Sequence, residues 1–432
     1  MKYRIYNAKI LTAEHGLIDG EMWVEEGKIT FLSQCSPLIL KPWDREIDMQ
    51  GNLVMPSFKD AHAHSPMTFL RSFADDLPLD RWLFDKVFPY EACLTGEDCY
   101  WLSRLAILEY LSSGISAVAD MYFYLDDIAG AFVDSGMRNV IMEGITQGNG
   151  PKDKMWARLD EGRRNLDGKG GLIEYRLGLH AEYTNDLSNI EAFAEYAKVN
   201  DMPVCMHISE TKSEVDNCIK KYGKSPIKLM HDMGMLDRGA TLYHCVHLSD
   251  EDIDIIAQDG ASVVSCPASN LKLASGIAPL EKLRRKGVNI GLGTDGAASN
   301  NSLDMLRETY LATTLQKYLN NDASALPADV VLDMATKGSA KAMGLKDLDG
   351  LYVGAQADLC VIDLNKPNMR PINNIVKNVV YAGSKADVLM TMVAGEIKYE
   401  KGEYFVGESV DKIYSMAEKI TARIKKQAKS GK

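Results

Sequence analysis

The sequence predicts an α/β fold in which a (β/α)8 TIM barrel is joined to a composite β-sandwich domain built from both termini. Two observations predict it. In the middle of the 432-residue chain, short apolar runs alternate with longer amphipathic stretches, which is typical of a parallel barrel. Near both ends, short runs alternate apolar and polar residues, which is the period of antiparallel strands.

The middle of the chain contains enough apolar runs for a closed barrel. Eight runs predict strands near residues 53–60, 115–121, 138–146, 175–181, 202–208, 240–246, 262–266 and 288–294. The amphipathic stretches between them predict the covering helices, such as those at 101–111, 190–199, 250–257 and 303–319. We therefore expect the catalytic barrel to cover residues 56–347.

The two ends of the chain predict a second, smaller domain. Short strand patterns occur in residues 1–55 and return after residue 348, so we expect 1–55 and 348–432 to form one composite β-sandwich domain. The last helical pattern, at 413–424, has one apolar face and a basic tail. Packing of that face on its own domain is favoured over a role at a membrane surface.

Composition and charge exclude several classes of protein. Hydrophobic residues make up 46% and charged residues 25% of the chain, which predicts a large core rather than disorder. The net charge of −11 argues against nucleic-acid binding, and no apolar run is long enough to predict a membrane partner. Eight cysteines without a CxxC pair are typical of reduced thiols. We therefore expect a cytoplasmic protein that acts on a small molecule, with a homo-oligomer left open.

Four side chains with metal-binding atoms fall at the C-terminal ends of three predicted strands. His62 and His64 stand two apart after an apolar run, and residues at i and i+2 of a strand face the same side. His207 and Asp295 each follow another run. Because barrel enzymes place their sites at this end of the strands, the pattern predicts a single metal site.

Three histidines and one carboxylate suit one divalent metal per chain. Zn²⁺ is the first candidate and Fe²⁺ the second, with a water completing the coordination shell. Lysine is absent from the predicted fourth strand, near 175–181, where a carboxylated lysine would bridge two metals. A mononuclear site is therefore expected.

Two further residues predict hydrolytic chemistry. Glu210 lies three residues beyond His207 in the segment HISE, close enough to exchange protons with a bound water and a substrate nitrogen. The alternative for Glu210 is a solvated carboxylate in the loop after the strand. His244 ends the predicted strand at 241–243 and is expected to reach the same water. The nearby His247 would lie off the strand, and we assign it a structural role.

Several motifs together resemble the amidohydrolase superfamily, and within it the branch of methylthioadenosine/S-adenosylhomocysteine deaminases and chlorohydrolases. They are PSFKDAHAH (56–64), HISE (207–210), HCVHL (244–248), CPASNLKLASGIAP (266–279) and GTDGAASNNS (293–302). The segments at 71–83, 350–363 and 392–396 extend the resemblance over nearly the whole chain. It implies a barrel with a composite β-sandwich, a mononuclear metal and hydrolytic deamination of an aminopurine.

The resemblance also implies roles for individual residues. The implied metal ligands are His62, His64, His207 and Asp295. Glu210 and His244 would handle protons, and Asp295 would also accept a proton from the water.

Other residues are placed at the substrate by the same resemblance. Glu91, in FPYE, matches a glutamate that contacts ribose hydroxyls, and His180 matches a histidine that contacts the nucleoside. Trp82, in DRWL, matches a tryptophan near the pocket, although a core tryptophan is an equally good interpretation.

Two positions bear on the substrate's tail. Glu143 stands where S-adenosylhomocysteine-deaminating members carry an arginine for the amino-acid carboxylate, and a second such arginine corresponds to Arg158. An anionic tail would then meet a like charge, so such a substrate is expected to be disfavoured. The alternative is that Glu143 pairs with Arg138 or Arg158 in a solvated loop. The role of Glu182, which lies close to the substrate histidine in sequence, stays open.

The sequence therefore predicts a metal-dependent hydrolytic deaminase of adenosine-like nucleosides. Methylthioadenosine, 5′-deoxyadenosine and adenosine are the expected substrates, with S-adenosylhomocysteine less favoured. One alternative is a deaminase or chlorohydrolase of another amino-heterocycle, such as guanine, a pterin or a triazine, although Glu91 favours a ribosyl substrate. A second alternative is a non-catalytic barrel scaffold, and the intact ligand set argues against it.

Overall fold

The computed structural model describes residues 1–14, 16–35, 41–149 and 151–430. The strands of the described residues are β1 Lys2–Thr12, β2 Gly16–Glu25, β3 Lys28–Ser33, β4 Arg45–Asp48, β5 Leu53–Pro56, β6 Phe58–Ala63, β7 Ile115–Tyr122, β8 Arg138–Glu143, β9 Ile173–Tyr175, β10 Leu177–Leu179, β11 Val204–Ile208, β12 Thr241–His244, β13 Ser262–Ser265, β14 Asn289–Leu292, β15 Leu359–Ile362, β16 Val388–Val393, β17 Glu396–Glu400 and β18 Glu403–Tyr404.

The α-helices of the same residues lie mostly between the barrel strands. They are α1 Leu79–Trp82, α2 Phe88–Glu91, α3 Gly96–Ser112, α4 Leu125–Ser135, α5 Lys152–Leu166, α6 Leu187–Val199, α7 Lys212–Tyr222, α8 Pro226–Asp232, α9 Asp250–Asp259, α10 Pro267–Lys272, α11 Leu280–Arg285, α12 Met305–Leu319, α13 Ala328–Asp333, α14 Ser339–Met343, α15 Ile375–Ala382 and α16 Val410–Ser430. Two π-helical turns, Leu83–Val87 and Met334–Gly338, join α1 to α2 and α13 to α14.

Within the described residues, parallel strands form a closed barrel of eight strand positions. Strands β6 to β9 form one parallel sheet and β10 to β14 form another. Only Arg176 separates β9 from β10, so the two together occupy the fourth position, and a bridge between Ile145 and Leu179 links the sheets on that side. A bridge between Ala63 and Asp295 joins the first position to the last. The predicted barrel is confirmed.

The barrel strands are apolar throughout because both of their faces are covered. Every residue of β6, β7, β11, β12 and β13 is buried. Helices cover the outside of such a sheet and side chains fill its interior, so the alternation of a half-exposed strand is lost. The helices that follow begin at side chains that cap the first turn, namely Thr95, Asp186, Thr211, Ser249 and Asp304.

Strands from both ends of the chain form one nine-stranded sheet. Its order is β18-β17-β16-β15-β5-β1-β2-β3, and β4 pairs with β1. Side chains from both halves share one apolar core, among them Ile5, Met22, Val54, Val361 and Met392. A sheet whose two halves enclose a common core is folded over on itself, as in a sandwich. The predicted fold class is therefore confirmed.

The predicted strand near 53–60 is wrong as a single strand. Leu53–Pro56 pairs with β1 and β15 in the terminal sheet, whereas the barrel's first strand begins at Phe58. Between them, the buried hydroxyl of Ser57 donates to Ser116 Oγ at 2.7 Å. Both strands are fully buried, so one apolar run continues through the boundary, and apolarity alone does not identify the partner strand.

The last helix packs on the barrel. The apolar face of α16, which includes Ile413, Ile420 and Ile424, is buried, and the helix contacts α3. Arg423 forms an ion pair with Asp98 at the start of α3. The barrel therefore covers the apolar face of α16, so the expectation that this face packs on its own terminal domain is wrong. In the described part of the chain, no helix is long and apolar enough to cross a membrane.

Candidate metal centre and catalytic pocket

A cavity of about 850 Å³ opens at the C-terminal ends of the barrel strands. The predicted site residues that line it are His64, Trp82, Glu91, Glu143, Arg158, His180, His207, Glu210, His244 and Asp295. His62 is fully buried and contacts the rings of several of these residues. The size of the cavity suits a ligand as large as a nucleoside.

The four predicted metal ligands converge on one point. His64 Nε2 lies 3.3 Å from Asp295 Oδ1, and His62 Nε2 lies 3.7 Å from the same oxygen. The Nε2 atoms of His64 and His207 are 3.4 Å apart. The strands β6, β11 and β14 end on the same face of the barrel, which explains how residues distant in sequence meet there.

Backbone carbonyls determine which ring nitrogens face this point. His64 Nδ1 donates to the carbonyl of Met121 at 2.6 Å, and His207 Nδ1 donates to the carbonyl of His180 at 2.7 Å. Because a carbonyl oxygen only accepts, each ring carries a proton on Nδ1, and Nε2 is the ring atom that faces this point. The two Nε2 atoms are therefore the ones available to bind a metal.

The remaining ligands also fit a divalent metal. Both ring nitrogens of His62 are buried and have no hydrogen-bond partner among the described residues. An unsatisfied buried polar atom costs about 1–3 kcal/mol, which a bound cation would remove. Burial opposes ionisation of Asp295, but the imidazoles of His64 and His62 hold the pKa of that carboxyl well below its usual range. The residues present therefore form a site for a divalent metal.

Three donors hold the carboxylate of Asp295 in place. Ser269 Oγ and Ser299 Oγ donate to its Oδ2 at 2.5 and 3.0 Å, and the amide of Gly296 donates to Oδ1 at 2.8 Å. Asp295 has a φ of +61°, in the left-handed region that non-glycine residues seldom adopt. These contacts fix the orientation of the Asp295 carboxylate, whose Oδ1 lies near the imidazoles of His62 and His64.

Glu210 and His244 lie together beside the four predicted metal ligands, His62, His64, His207 and Asp295, which we call the metal-ligand cluster. His244 Nε2 is 4.0 Å from Glu210 Oε2, and His244 Nδ1 is 2.8 Å from Asn270 Oδ1. Ser275 Oγ donates to Glu210 Oε1 at 3.3 Å. Burial raises the pKa of Glu210, so its carboxyl keeps a proton to higher pH than an exposed glutamate does. The pair can therefore hold and exchange protons next to the metal site.

The predicted substrate residues also line the cavity. Trp82 and Glu91 reach it from the helical segment 79–91 and are both buried. Tyr122 donates its hydroxyl to Glu91 Oε1 at 2.5 Å, and burial raises the pKa of Glu91 to about 7. Burial also lowers the pKa of His180 to about 4, so this ring is neutral at physiological pH.

Glu143 and Arg158 also line the cavity and form an ion pair with each other. Their side chains form an ion pair in which the guanidinium is 44% exposed and the carboxylate 12% exposed. Arg138 instead pairs with Asp358 at 3.1 Å. Glu143 therefore pairs with Arg158 and not with Arg138. The pair lines the cavity and does not lie in a solvated loop.

Comparisons with known proteins identify the family. The family model described as "Amidohydrolase family" matches residues 53–398. This chain is an amidohydrolase. The predicted resemblance to the superfamily is confirmed, and so is the prediction of an enzyme.

Relatives of this amidohydrolase match it over most of their length. A 5-methylthioadenosine/S-adenosylhomocysteine deaminase of Moorella thermoacetica is 40% identical over 393 residues, which cover 90% of this chain and 89% of the relative. A protein of the same name from Desulforudis audaxviator is 38% identical over 430 residues, covering 98% and 99%. The solved structure of a zinc-bound adenosine deaminase from Xanthomonas campestris is 32% identical, with a TM-score of 0.90 and 98% of both chains covered.

Some residues that support the amidohydrolase site were missed in the sequence. Ser269 and Asn270 lie in the motif at 266–279, and Ser299 lies in the motif at 293–302. Their position in motifs that resemble the superfamily was the signal that could have identified them. Tyr122 ends β7 and had no signal beyond its position at a strand end. Ser299 contacts Asp295 within its own motif, whereas the partners of Ser269, Asn270 and Tyr122 come from other segments, which a linear pattern does not reveal.

Two other residues considered from the sequence, His247 and Glu182, lie outside the candidate catalytic site. His247 Nε2 is 2.7 Å from the carbonyl of Ser275, a structural contact. Glu182 is buried but is not among the residues that line the cavity. Neither side chain faces the metal-ligand cluster of this amidohydrolase.

Proposed function

We propose that this amidohydrolase hydrolytically deaminates adenosine-like nucleosides and releases ammonia. The observation that supports this most strongly is that Glu210 and His244 lie beside each other in a cavity that is also lined by three of the four predicted metal ligands and by Glu91. The relatives from Moorella and Desulforudis are named as nucleoside deaminases, and the Xanthomonas protein as an adenosine deaminase.

We assign one divalent metal per chain, Zn²⁺ before Fe²⁺, to the four converging side chains. The ligands would be His62, His64, His207 and Asp295. Three imidazole nitrogens and one carboxylate oxygen match the donors that Zn²⁺ prefers at sites with an open position. When bound, the metal supplies Lewis-acid activation of a water near neutral pH.

Protons move through three side chains in this proposal. Glu210, whose pKa burial raises, donates its carboxyl proton to the ring nitrogen beside the amino-bearing carbon and makes that carbon electrophilic. His244, held at Nδ1 by Asn270, orients the attacking water and accepts one of its protons at Nε2. Asp295 accepts the second proton of the water. One of these two protons passes to the departing amine, which leaves as ammonia, and the other returns to the carboxylate of Glu210.

The remaining lining residues bind the nucleoside. Glu91 uses one oxygen to accept from Tyr122, and its remaining acceptor capacity suits the adjacent hydroxyls of a ribose. The neutral ring of His180 contacts the nucleoside, and the indole of Trp82 forms a flat apolar wall. Together they favour a ribosyl substrate over a free base.

We further propose how the whole chain is organised. Residues 56–347 would form the catalytic barrel, and 1–55 with 348–432 the composite domain. All eight cysteines are free, which suits a cytoplasmic enzyme. A small-molecule substrate is its expected partner.

A screen of ammonia release tests the function directly. Methylthioadenosine, 5′-deoxyadenosine, adenosine and S-adenosylhomocysteine are compared with guanine, an aminopterin ring and an aminotriazine. We expect the adenosine-type substrates to give the highest kcat/KM. Turnover of guanine or a triazine without turnover of any adenosine-type substrate would refute the proposal.

Glu91→Gln is expected to weaken nucleoside binding. A hydrogen bond to a charged group contributes about 1.5–3 kcal/mol, so kcat/KM for adenosine should fall about tenfold or more. Free adenine, which lacks the ribose, should lose almost nothing. Equal losses on adenosine and adenine would place Glu91 away from the sugar.

The ion pair of Glu143 and Arg158 predicts a preference for uncharged 5′ substituents. A substrate carboxylate must displace Glu143 before it can reach the guanidinium, so kcat/KM should be higher for methylthioadenosine than for S-adenosylhomocysteine. Glu143→Gln removes the competing carboxylate. Because exposed ion pairs contribute at most about 1 kcal/mol, we expect about a fivefold gain for S-adenosylhomocysteine.

The control for this prediction is Glu195→Gln. Glu195 pairs with Lys152 at 2.6 Å on the protein surface and does not line the cavity. It should change neither substrate's kcat/KM. If Glu143→Gln leaves the ratio of the two substrates unchanged, the pair does not select the tail.

A further inference from the structure

A buried carboxylate next to the catalytic loop has no part in the proposed chemistry. Glu214 lies at the third position of α7 and is 5% exposed. It accepts hydrogen bonds from three consecutive backbone amides, those of Ser209 at 2.6 Å, Glu210 at 2.8 Å and Thr211 at 3.4 Å. We propose that Glu214 is a positioning residue that holds Glu210 in place for proton transfer, an inference that rests on the proposed function.

The contacts of Glu214 go beyond those of an ordinary helix cap. A capping box consists of two reciprocal bonds, one from the amide at the third position to the N-cap side chain and one from the N-cap amide to the side chain at the third position. Here the second of these bonds, from Thr211, is the longest of the three that Glu214 accepts. The two shorter bonds come from Ser209 and Glu210, which precede the helix. The carboxylate therefore holds the loop more tightly than it caps α7.

The loop held by Glu214 is strained and held on its other side as well. Ser209 has a φ of +53°, in the left-handed region that a serine seldom adopts. Its carbonyl accepts from the amides of Val246 and His247, both at 2.9 Å. The loop after β12 thus holds the carbonyl side of Ser209, and Glu214 holds the amide side.

Glu210 depends on this backbone for its direction. Among the described residues, its side chain has one hydrogen-bond partner, Ser275, at 3.3 Å. A side chain with one long hydrogen bond is oriented mainly by the backbone that carries it. Because a shift of about 1 Å in a reacting group can cost about 10²-fold in rate, the amide bonds to Glu214 bear directly on proton transfer.

Glu214→Gln tests the inference. Ser209 donates to one oxygen of Glu214 and Glu210 donates to the other, and a glutamine replaces one of these oxygens by an NH₂ group, so one buried amide loses its partner. We expect kcat to fall by about 10- to 100-fold while KM changes less than about threefold and metal content is unchanged. Unchanged kcat in a folded variant would overturn the proposal.

Asp252→Asn is the matched control. Asp252 occupies the same position in the capping box of α9, accepts from the amide of Ser249 at 2.9 Å, and is 2% exposed. Its carboxylate does not contact the loop of Glu210. It should lower the melting temperature about as much as Glu214→Gln does, with kcat within about twofold of the wild type. Equal losses of kcat in the two variants would reduce Glu214 to a helix cap.

A double-mutant cycle distinguishes this inference from the proposed function. If Glu214 acts through Glu210, the variant carrying Glu210→Gln and Glu214→Gln should lose no more kcat than Glu210→Gln alone. Additive losses would overturn the positioning role and leave the proposed function intact. A Glu210→Gln variant with full activity would instead refute the function of Glu210 itself.

A second variant covers the case in which Glu214→Gln does not fold. Glu214→Asp keeps the charge, but its side chain is one methylene shorter and should not reach all three amides. We expect it to fold, as circular dichroism would show, and to lose kcat in the same direction. A folded Glu214→Asp enzyme with wild-type kcat would contradict the proposal.

Discussion

Replacing Glu210 by glutamine is expected to lower kcat by at least about 10²-fold while the bound metal is retained, because general acid–base steps contribute about 10²- to 10⁴-fold. Glutamine has nearly the same shape but cannot take up or release the proton. The side chain is not one of the four predicted metal ligands, and it accepts a hydrogen bond from Ser275. Kinetics with the best substrate of the ammonia screen, together with elemental analysis, would measure both quantities.

The matched control for Glu210→Gln is Glu281→Gln. Glu281 is also a buried glutamate of the barrel, but it pairs with Arg284 and Arg285 and does not line the cavity. Its replacement should leave kcat within about twofold of the wild type even if stability falls. A Glu210→Gln enzyme that keeps more than about a tenth of kcat would remove Glu210 from proton transfer.

Replacing His62 by alanine is expected to abolish both metal binding and activity. His62 would supply one of only four protein ligands, and its fully buried ring leaves no route for water to replace it in the same geometry. Without the metal, the pKa of the attacking water stays near that of bulk water instead of about 7, so kcat should fall by on the order of 10³-fold or more. His207→Ala should behave in the same way.

Metal content and reversibility separate this prediction from simple misfolding. His231→Ala is the control, since His231 pairs with Asp259 at 2.6 Å outside the cavity and should keep both metal and activity. Chelation of the wild type should inactivate it, and added Zn²⁺ should restore turnover. Full activity after exhaustive chelation, with no metal detected, would show that the cluster has another role.

The fold class and the convergence of the chemically active residues were predictable from the sequence. Apolar runs alternating with amphipathic stretches predicted the barrel, because a strand that is covered on both faces must be apolar throughout. All strands of such a barrel run in one direction, so residues at their C-terminal ends meet at one face. His62, His207 and Asp295 could therefore be expected to converge although they are far apart in the chain.

The individual contacts around the site could not be predicted from the sequence. Examples are the ion pair of Glu143 with Arg158, the hydrogen bond from Ser269 to Asp295, and the hydrogen bond from the amide of Glu210 to Glu214. Each depends on the path that the chain takes between the two partners. The division of residues 53–60 between two sheets was likewise set by the partner strands. The physical reason is that a local pattern reports burial and period, whereas the direction of a side chain is fixed by neighbours that are distant in sequence.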